Sequence, residues 1–287
     1  MPEPGLGVVV PIQRSGVLAQ EFCHSVARAK VEAVFARSFY LRSGDAFICV
    51  GEPDIGNGPL TLLGNLRPLR EIALQPGRSA AVCDRHITIG HSIRLTLDRI
   101  ESWRPPPWPV GPSPARLIDT CAALAQRAAI DAPKEGLARI GGPRIALFGR
   151  WLTGMLGARH AGDVAVQEAV QGLIGFGFGL TPSGDDFLVG ALAWLDAIGA
   201  RDAHAALARA IIDALPGSTA PLSACFLRAA AGGHVGETLH RAVSSIMAGD
   251  TDAAIVAVEN VGHSSGWDML AGITTTLRVA AHAGAPA

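Results

Sequence analysis

Two short segments of the sequence combine residue types that could bind or transform a small molecule. Residues 183–186 read Ser-Gly-Asp-Asp and residues 265–268 read Ser-Gly-Trp-Asp, and each opens a stretch that continues with a shared leucine and a second shared glycine. Serine is a preferred N-cap of helices, and an acid three residues later can bond back to the N–H of that serine in a capping box. The repeat therefore predicts two helices, each begun by a capping box.

The glycines of the repeat are informative because glycine in a helix costs about 1 kcal/mol relative to alanine. Gly184 and Gly266 follow the serines, where a missing side chain would let a ligand approach the free N–H groups of the first turn. Those groups and the helix dipole favour an anion. Gly190 and Gly272 lie further into each predicted helix. We interpret them as points of close backbone contact, between these two helices themselves.

The residues before each copy extend the candidate site. Residues 175–179 read Gly-Phe-Gly-Phe-Gly, and alternating glycines permit positive φ angles that can turn backbone N–H groups toward a bound group. His263 and Ser264 precede the second copy and add an imidazole and a hydroxyl group. Both additions lie at the predicted helix N-termini.

We predict that the two helix N-termini form one ligand site. Asp185 is a candidate catalytic residue, because Trp267 at the equivalent place shows that the helix start needs no acid there. His263 is the candidate proton donor or acceptor. In a simpler alternative, the serines and the shared aspartates only cap helices, and His263 is an ordinary loop histidine. The predicted ligand-binding residues are Gly177, Gly179, Thr181, Ser183, Gly184, Asp186, Ser264, Ser265, Gly266 and Asp268.

The candidate ligand is a small anionic carbonyl or phosphoryl compound. Three carboxylates in the two segments would repel a free phosphate, since unit charges a few Å apart interact by about 4 kcal/mol at an effective dielectric constant near 20. Either a Mg²⁺ ion held by Asp185 bridges carboxylate and phosphate, or Asp185 accepts a hydrogen bond from an NH₂ group of the ligand. The second option suits a carbamoyl or ureido group. No other cofactor is indicated.

Composition narrows the class of protein. The chain has 287 residues, 49% of them hydrophobic and 17% charged, with a formal net charge of -1. Its arginines are scattered, which argues against a nucleic-acid surface or a membrane-seeking helix. Its five cysteines form no C-x-x-C pair, so neither a disulfide framework nor a zinc site is predicted. With no apolar run near the roughly 20 residues of a membrane span, we expect a cytoplasmic protein.

The pattern of apolar residues changes along the chain and predicts an α+β protein. Residues 1–102 contain short alternating stretches with glycine turns, including a hairpin with its turn at residues 43–45, and predict an antiparallel barrel or sandwich. Residues 103–114 are rich in proline, which lacks an N–H group, and predict a linker. Residues 115–287 have helical periodicity and form a predicted helical domain that carries the glycine-rich site.

The segments at 175–186 and 262–268 resemble those of the AllH-type family, and an Asn-Gly-Pro-Leu turn at residues 57–60 and the β-rich first half also fit it. Members of this family are associated with oxamate carbamoyltransferase in allantoin degradation, and the family has also been considered carboxylase-like. Phe176 and Phe178 stand where the family pattern usually has a small residue.

The resemblance implies that this chain is a subunit of a carbamoyltransferase. Its reaction would be the phosphorolysis of oxalurate to oxamate and carbamoyl phosphate, carried out with other protein subunits. Two alternatives stay open at this point. The chain could be a non-catalytic subunit that binds ligand or serves as a scaffold, or it could be a metal-dependent carboxylase or lyase.

Overall fold

The protein is described by a computed structural model that covers residues 7–67, 69, 74–111, 114–133, 136–157, 163–262 and 264–283. The chain divides into two compact units, Met1–Pro105 and Pro106–Ala287. All strands of the described residues lie in the first unit, and all their α-helices except α1 lie in the second. The predicted α+β class is confirmed.

The first unit is a closed barrel with one additional strand. Strands β1 to β8 follow the order β5-β4-β3-β2-β6-β7-β8-β1, and the pairing of β1 with β5 closes the ring. Strand β9 pairs with β1 outside this ring. The strands are β1 (Val8–Gly16), β2 (Arg28–Val34), β3 (Ser38–Ser43), β4 (Ala46–Gly51), β5 (Thr61–Gly64), β6 (Ser79–Cys83), β7 (His86–Ile89), β8 (Ile93–Thr96) and β9 (Glu101–Trp103), with helix α1 (Val17–Ser25) after β1.

The sequence predicted an antiparallel barrel or sandwich. The structure has the barrel, but not all of its strands are antiparallel. β1 runs parallel to β8 and β9, and β4 runs parallel to β5. The predicted hairpin is present as β3 and β4, with Gly44 at φ 57° in the turn. Alternating residues of the strands point inward, so Val10, Val31, Leu41 and Leu95 are fully or almost fully buried.

The second unit is helical in its described residues and contains ten helices. They are α2 (Pro114–Asp131), α3 (Leu137–Ile140), α4 (Gly142–Leu156), α5 (Asp163–Gln171), α6 (Ser183–Ala197), α7 (Arg201–Ala214), α8 (Pro221–Ala231), α9 (Glu237–Ala248), α10 (Thr251–Glu259) and α11 (Ser265–Ala283). None of the helices in the described part of the chain is both long and apolar enough to cross a membrane. Helix α6 is buried from Gly184 to Leu195, which places it at the centre of this unit.

Helices α6 and α11 approach each other backbone to backbone. A Cβ atom added at Gly190 would lie 2.0 Å from the carbonyl oxygen of Met269, and one added at Gly272 would lie 2.0 Å from that of Phe187. Real Cβ contacts are never this short, so only glycine fits at either place. The interpretation of these two glycines as contact points between the two helices is confirmed.

The start of the second unit is attached to its helices by a ring stack. The indole of Trp108 lies 4.2 Å from the imidazole of His240, centroid to centroid, with only 11° between the planes. The Trp108 N–H donates to the Asp196 carboxylate at 2.8 Å. Because the Pro106 carbonyl can only accept, the His240 Nε2 atom at 2.9 Å is the protonated one. The proline-rich segment is therefore fixed to α6 and α9 at this point.

Candidate functional site

Helices α6 and α11 begin next to each other. Ser183 is the first residue of α6, and Ser265 is the first residue of α11. The hydroxyl oxygen of Thr181, two residues before α6, lies 3.1 Å from the hydroxyl oxygen of Ser265. The structure thus brings together the two segments that the repeat singled out.

The carboxyl groups of the repeat cross from one helix to the other. The side chain of Asp186 on α6 lies close enough to the hydroxyl groups of Ser265 on α11 and of Thr181 for both to lower its pKa. The side chain of Asp268 on α11 accepts from the Leu137 N–H at 2.6 Å and lies close enough to the Ser183 hydroxyl group on α6 for it to lower the Asp268 pKa. We call Asp186 and Asp268, with their serine partners, the crossed carboxyl pair. The repeat is therefore a two-fold arrangement in which each acid contacts the serine of the other copy.

This arrangement corrects the capping boxes expected from the sequence. Pro182 is the N-cap of α6, and no side chain caps that end. At α11 the carbonyl of Ser264 accepts from the Asp268 N–H, so this helix also begins one residue earlier than a capping box requires. The prediction was wrong because the residue before each serine supplies the first helical carbonyl, so each serine is already inside its helix.

One oxygen of each crossed carboxyl group is left over. Asp186 and Asp268 expose only 3% and 1% of their surface, and the Oδ2 atom of each has no hydrogen-bond partner among the described residues. Buried polar atoms are normally bonded, because burying one without a partner costs about 1 to 3 kcal/mol. These two atoms, with the half-buried residues Thr181, Ser183 and Ser265, form the candidate site.

Burial also changes the acidity of the pair. It raises the pKa of Asp186 well above the ordinary value of an aspartate, while hydrogen bonding to Ser265 opposes the rise. The neighbouring charges of Asp268 and Asp185 raise the Asp186 pKa further. Burial likewise raises the pKa of Asp268, against hydrogen bonds from Leu137 and Ser183. The site therefore favours protonated acid over carboxylate more than an exposed pair would.

Asp185 is bonded entirely within the protein. Its Oδ1 atom accepts from the Gly175 N–H at 2.7 Å, and its Oδ2 atom accepts from the hydroxyl groups of Thr219 and of Ser223, the latter at 2.6 Å. The residue is 1% exposed. These bonds hold the start of the glycine-rich loop against α8. A catalytic or Mg²⁺-binding role for Asp185 stays a prediction.

The glycines at the helix starts have a packing explanation. A Cβ atom at Gly184 would lie 1.9 Å from the Leu173 carbonyl oxygen, and one at Gly266 would lie 1.9 Å from the Val258 carbonyl oxygen. The space that we assigned to a ligand is therefore filled by backbone. Three first-turn N–H groups of α6 are also occupied, since that of Gly184 donates to Phe176 and those of the next two residues donate to Pro182.

The glycine-rich loop has the conformation that its glycines permit. Gly175, Gly177 and Gly179 have φ angles of 69°, 115° and 98°. Gly177 packs against the first residue of α6, while nothing lies within 4 Å of a Cβ atom built at Gly179. Phe178 between them is fully exposed. Positive φ angles at these glycines are confirmed, and their contact with a ligand stays a prediction.

The two predicted residues before α11 are His263 and Ser264. Ser264 is half-buried beside the first turn of α11. His263 lies outside the described residues, so its proposed role in proton transfer stays a prediction. Within the described part of the chain, no group of three or more His, Cys, Asp or Glu side chains could hold a metal ion.

Sequence reasoning missed three partners of the site acids. Thr219 and Ser223 hold Asp185, and the backbone N–H of Leu137 holds Asp268. Hydroxyl residues around the Pro221 start of α8 gave a weak signal that an acid might be bonded there. The Leu137 contact could not be predicted from the sequence, because its donor is a backbone N–H group, which almost every residue has.

The fold and the site define an α+β protein whose candidate ligand position lies between two helix N-termini and two buried acids. A family model described as "Oxamate carbamoyltransferase subunit AllH" matches residues 173–277, which include the glycine-rich loop and both halves of the crossed carboxyl pair. The match confirms the AllH-type resemblance for this part of the chain. No solved structure matches the chain.

Proposed function

We propose that this chain is a subunit of a carbamoyltransferase that acts on oxalurate, oxamate and carbamoyl phosphate, and that the crossed carboxyl pair binds the small substrate. The observation that carries the proposal is the pair of buried, unpartnered Oδ2 atoms of Asp186 and Asp268. They lie within the part of the chain that matches the oxamate carbamoyltransferase subunit family.

The chemistry of the pair selects among small ligands. An ionised carboxyl group only accepts hydrogen bonds, so it suits a ligand with NH₂ or NH groups. A protonated carboxyl group can donate, so it suits a carbonyl or carboxylate oxygen. The raised pKa values of Asp186 and Asp268 bring the protonated form closer to neutral pH. Oxamate offers an NH₂ group beside carbonyl and carboxylate oxygens, and can therefore satisfy both forms.

The hydroxyl groups of Thr181, Ser183 and Ser265 add bonds that can either donate or accept. In carbamoyl transfer the oxamate nitrogen bonds to the carbamoyl carbon, the bond from that carbon to the phosphate oxygen breaks, and the proton lost from nitrogen leaves with phosphate. Holding the NH₂ group of oxamate against an acceptor orients its nitrogen and prepares the proton for removal. Asp186 and Asp268 are the acceptors that we propose for this step.

The proposed site can also bind a small anion, provided that something offsets the repulsion between the anion and the two acids. The backbone N–H groups at the start of α6 are already bonded, so they contribute less to anion binding than the repeat suggested. A proton on one of the two acids lowers the repulsion of a carboxylate ligand without requiring a metal ion. Mg²⁺ at Asp185 stays an alternative that added chelator would test.

Calorimetric titration of the purified chain with oxamate tests the site. Asp186→Asn and Asp268→Asn keep the shape of the acids but change their donors and acceptors, and each should weaken oxamate binding at least about tenfold, or about 1.4 kcal/mol. Asp213→Asn, on the exposed face of α7, is the matched control and should bind like the parent. Equal binding by all four proteins would contradict the site.

A second measurement separates a catalytic subunit from a ligand-binding one. Release of phosphate from carbamoyl phosphate is followed with oxamate present, first with this chain alone and then with other subunits of the carbamoyltransferase added. Turnover by the mixture that Asp186→Asn abolishes supports a site shared with the reaction. If neither Asp186→Asn nor Asp268→Asn changes the turnover, the crossed carboxyl pair takes no part in the reaction, and the chain acts as a scaffold.

A further inference from the structure

A basic groove runs over the outside of the barrel. It is defined by Arg28, Lys30, Arg42, Ser79, Thr88 and His91, on strands β2, β3, β6 and β7 and the turn before β8, and has a volume of about 870 Å³. The side chains of Arg28, Lys30 and His91 are exposed. These residues lie far along the sequence from the crossed carboxyl pair, and nothing in the proposed function uses them.

The strand register concentrates positive charge on this face. Lys30 lies directly opposite Arg42 on the neighbouring strand. Like charges opposite each other destabilise a sheet, because such Cβ atoms are only about 4.5 to 5.5 Å apart. Glu32 bonds to Arg42 at 3.2 Å and compensates part of this repulsion. Among the described residues, neither Arg28 nor Lys30 has an ion pair.

The same register gives the groove its walls and floor. Arg28 pairs with Ala81, Ala81 pairs with Thr88, and Thr88 pairs with Arg94. Small side chains of β6 and β7 thus lie between Arg28, which lines the groove, and Arg94, which is exposed on the same face just beyond the lining. Three strand spacings of about 4.8 Å separate these two arginines by roughly 14 Å. That width admits one extended polypeptide and is too narrow for a nucleic-acid duplex.

The lining residues narrow the class of occupant. None of those described is Phe, Tyr or Trp, so the groove lacks the aromatic platforms on which single-stranded nucleic acids stack. The ring of strands is closed, so a partner cannot add a strand to an edge here. Recognition must therefore rest on side-chain charge and on the hydroxyl groups of Ser79 and Thr88.

We infer that this basic groove docks an acidic, extended segment of another protein. Carboxylates spaced along such a segment would reach Arg28 and Lys30 from one side and Arg94 from the other. They would add to the one negative charge, that of Glu32, beside the opposed Lys30 and Arg42. Charge complementarity of this kind speeds association and selects the partner.

The probe for this inference is a fluorescein-labelled decaglutamate peptide, whose anisotropy is measured during titration with the full chain. Binding should weaken as salt rises from about 50 to about 200 mM, because exposed charges are screened. Arg28→Glu/Lys30→Glu should reduce the affinity at least about tenfold. The control, Arg201→Glu/Arg209→Glu on exposed positions of α7, changes the net charge equally and should bind like the parent.

Two results would overturn the inference. Equal loss of binding in both double variants would show that only net charge matters and that the groove has no special role. Tighter binding of a labelled oligothymidylate than of decaglutamate, abolished by the groove variant alone, would assign the groove to nucleic acid. All four substituted positions are exposed, so both double variants should fold. Their melting curves check this.

Discussion

The hydroxyl oxygens of Thr181 and Ser265 lie 3.1 Å apart although 84 positions separate them in the chain. This contact joins the glycine-rich loop to the first turn of α11. Both side chains also lie close enough to Asp186 to lower its pKa, so a single buried acid is in contact with the loop and the two helices. The stability of this junction should therefore depend on whether that acid carries a charge.

Asp186→Asn should raise the melting temperature at neutral and alkaline pH but not at low pH. The folded-state pKa of Asp186 is raised, so its contribution to stability is fully present below the unfolded value of about 3.9 and is lost as pH rises through the folded pKa. The neutral amide has no such loss. We expect a gain of at least about 2 °C at pH 8, measured by calorimetry across pH 4 to 8.

The same comparison with Asp268→Asn should give a gain of the same sign, since the pKa of Asp268 is also raised. Asp213→Asn provides the control and should show no pH-dependent difference. A lower melting temperature for Asp186→Asn at pH 8 would contradict this account of the buried acid.

Asp185→Asn should destabilise the protein. Both carboxylate oxygens accept hydrogen bonds, so an amide nitrogen at either place would face the Gly175 N–H or the hydroxyl groups of Thr219 and Ser223. A hydrogen bond to a charged group contributes about 1.5 to 3 kcal/mol, and we expect a loss in that range. Urea unfolding followed by circular dichroism measures it. A loss below about 0.5 kcal/mol would contradict these hydrogen bonds, because it is the size expected for an exposed residue.

Gly190→Ala and Gly272→Ala should each destabilise the helical unit. The added Cβ atom would lie 2.0 Å from a backbone oxygen of the other helix, and overpacking of this kind costs about 1 to 3 kcal/mol or more. Gly149→Ala on α4 is the control, because nothing lies within 4 Å of its Cβ position. That change should stabilise by up to about 1 kcal/mol. Similar melting temperatures for all three variants would argue against the close contact.

Phe178→Ala should leave the melting temperature unchanged, while Phe187→Ala should lower it strongly. The Phe178 side chain is 100% exposed and that of Phe187 is 0% exposed. Truncating a buried phenylalanine costs about 3 to 5 kcal/mol, whereas an exposed one loses no packing. Differential scanning fluorimetry of the two variants measures the contrast. A drop of several degrees for Phe178→Ala would mean that this side chain packs in solution.

The sequence predicted the helix starts and the helix contact for a clear physical reason. Gly190 and Gly272 stand where glycine weakens a helix, so only a contact could explain them, and backbone contacts are what the structure has. The hairpin of β3 and β4 was equally readable from alternation and a turn glycine. Such features can be predicted because they depend on residues close together in the sequence.

The partners of the three aspartates could not be predicted from the sequence. Asp186 and Asp268 fit a capping box by spacing, and only the approach of two distant segments replaces that bond with a crossed one. Asp185 looked unexplained because its donors, Thr219 and Ser223, come from a different helix start. A sequence alone gives spacing along the chain, and these bonds depend on distances across the fold.

Strand β1 gives the barrel an order of assembly. Residues 8–16 are made early, yet they pair with β5, β8 and β9, the last of which ends at Trp103. During synthesis β1 must therefore wait for β5, and its pairing is complete only after β8 and β9 have also emerged. Pairings between distant residues form slowly, and an apolar strand without partners is prone to aggregate. We expect the docking of β1 to limit the rate at which the barrel folds.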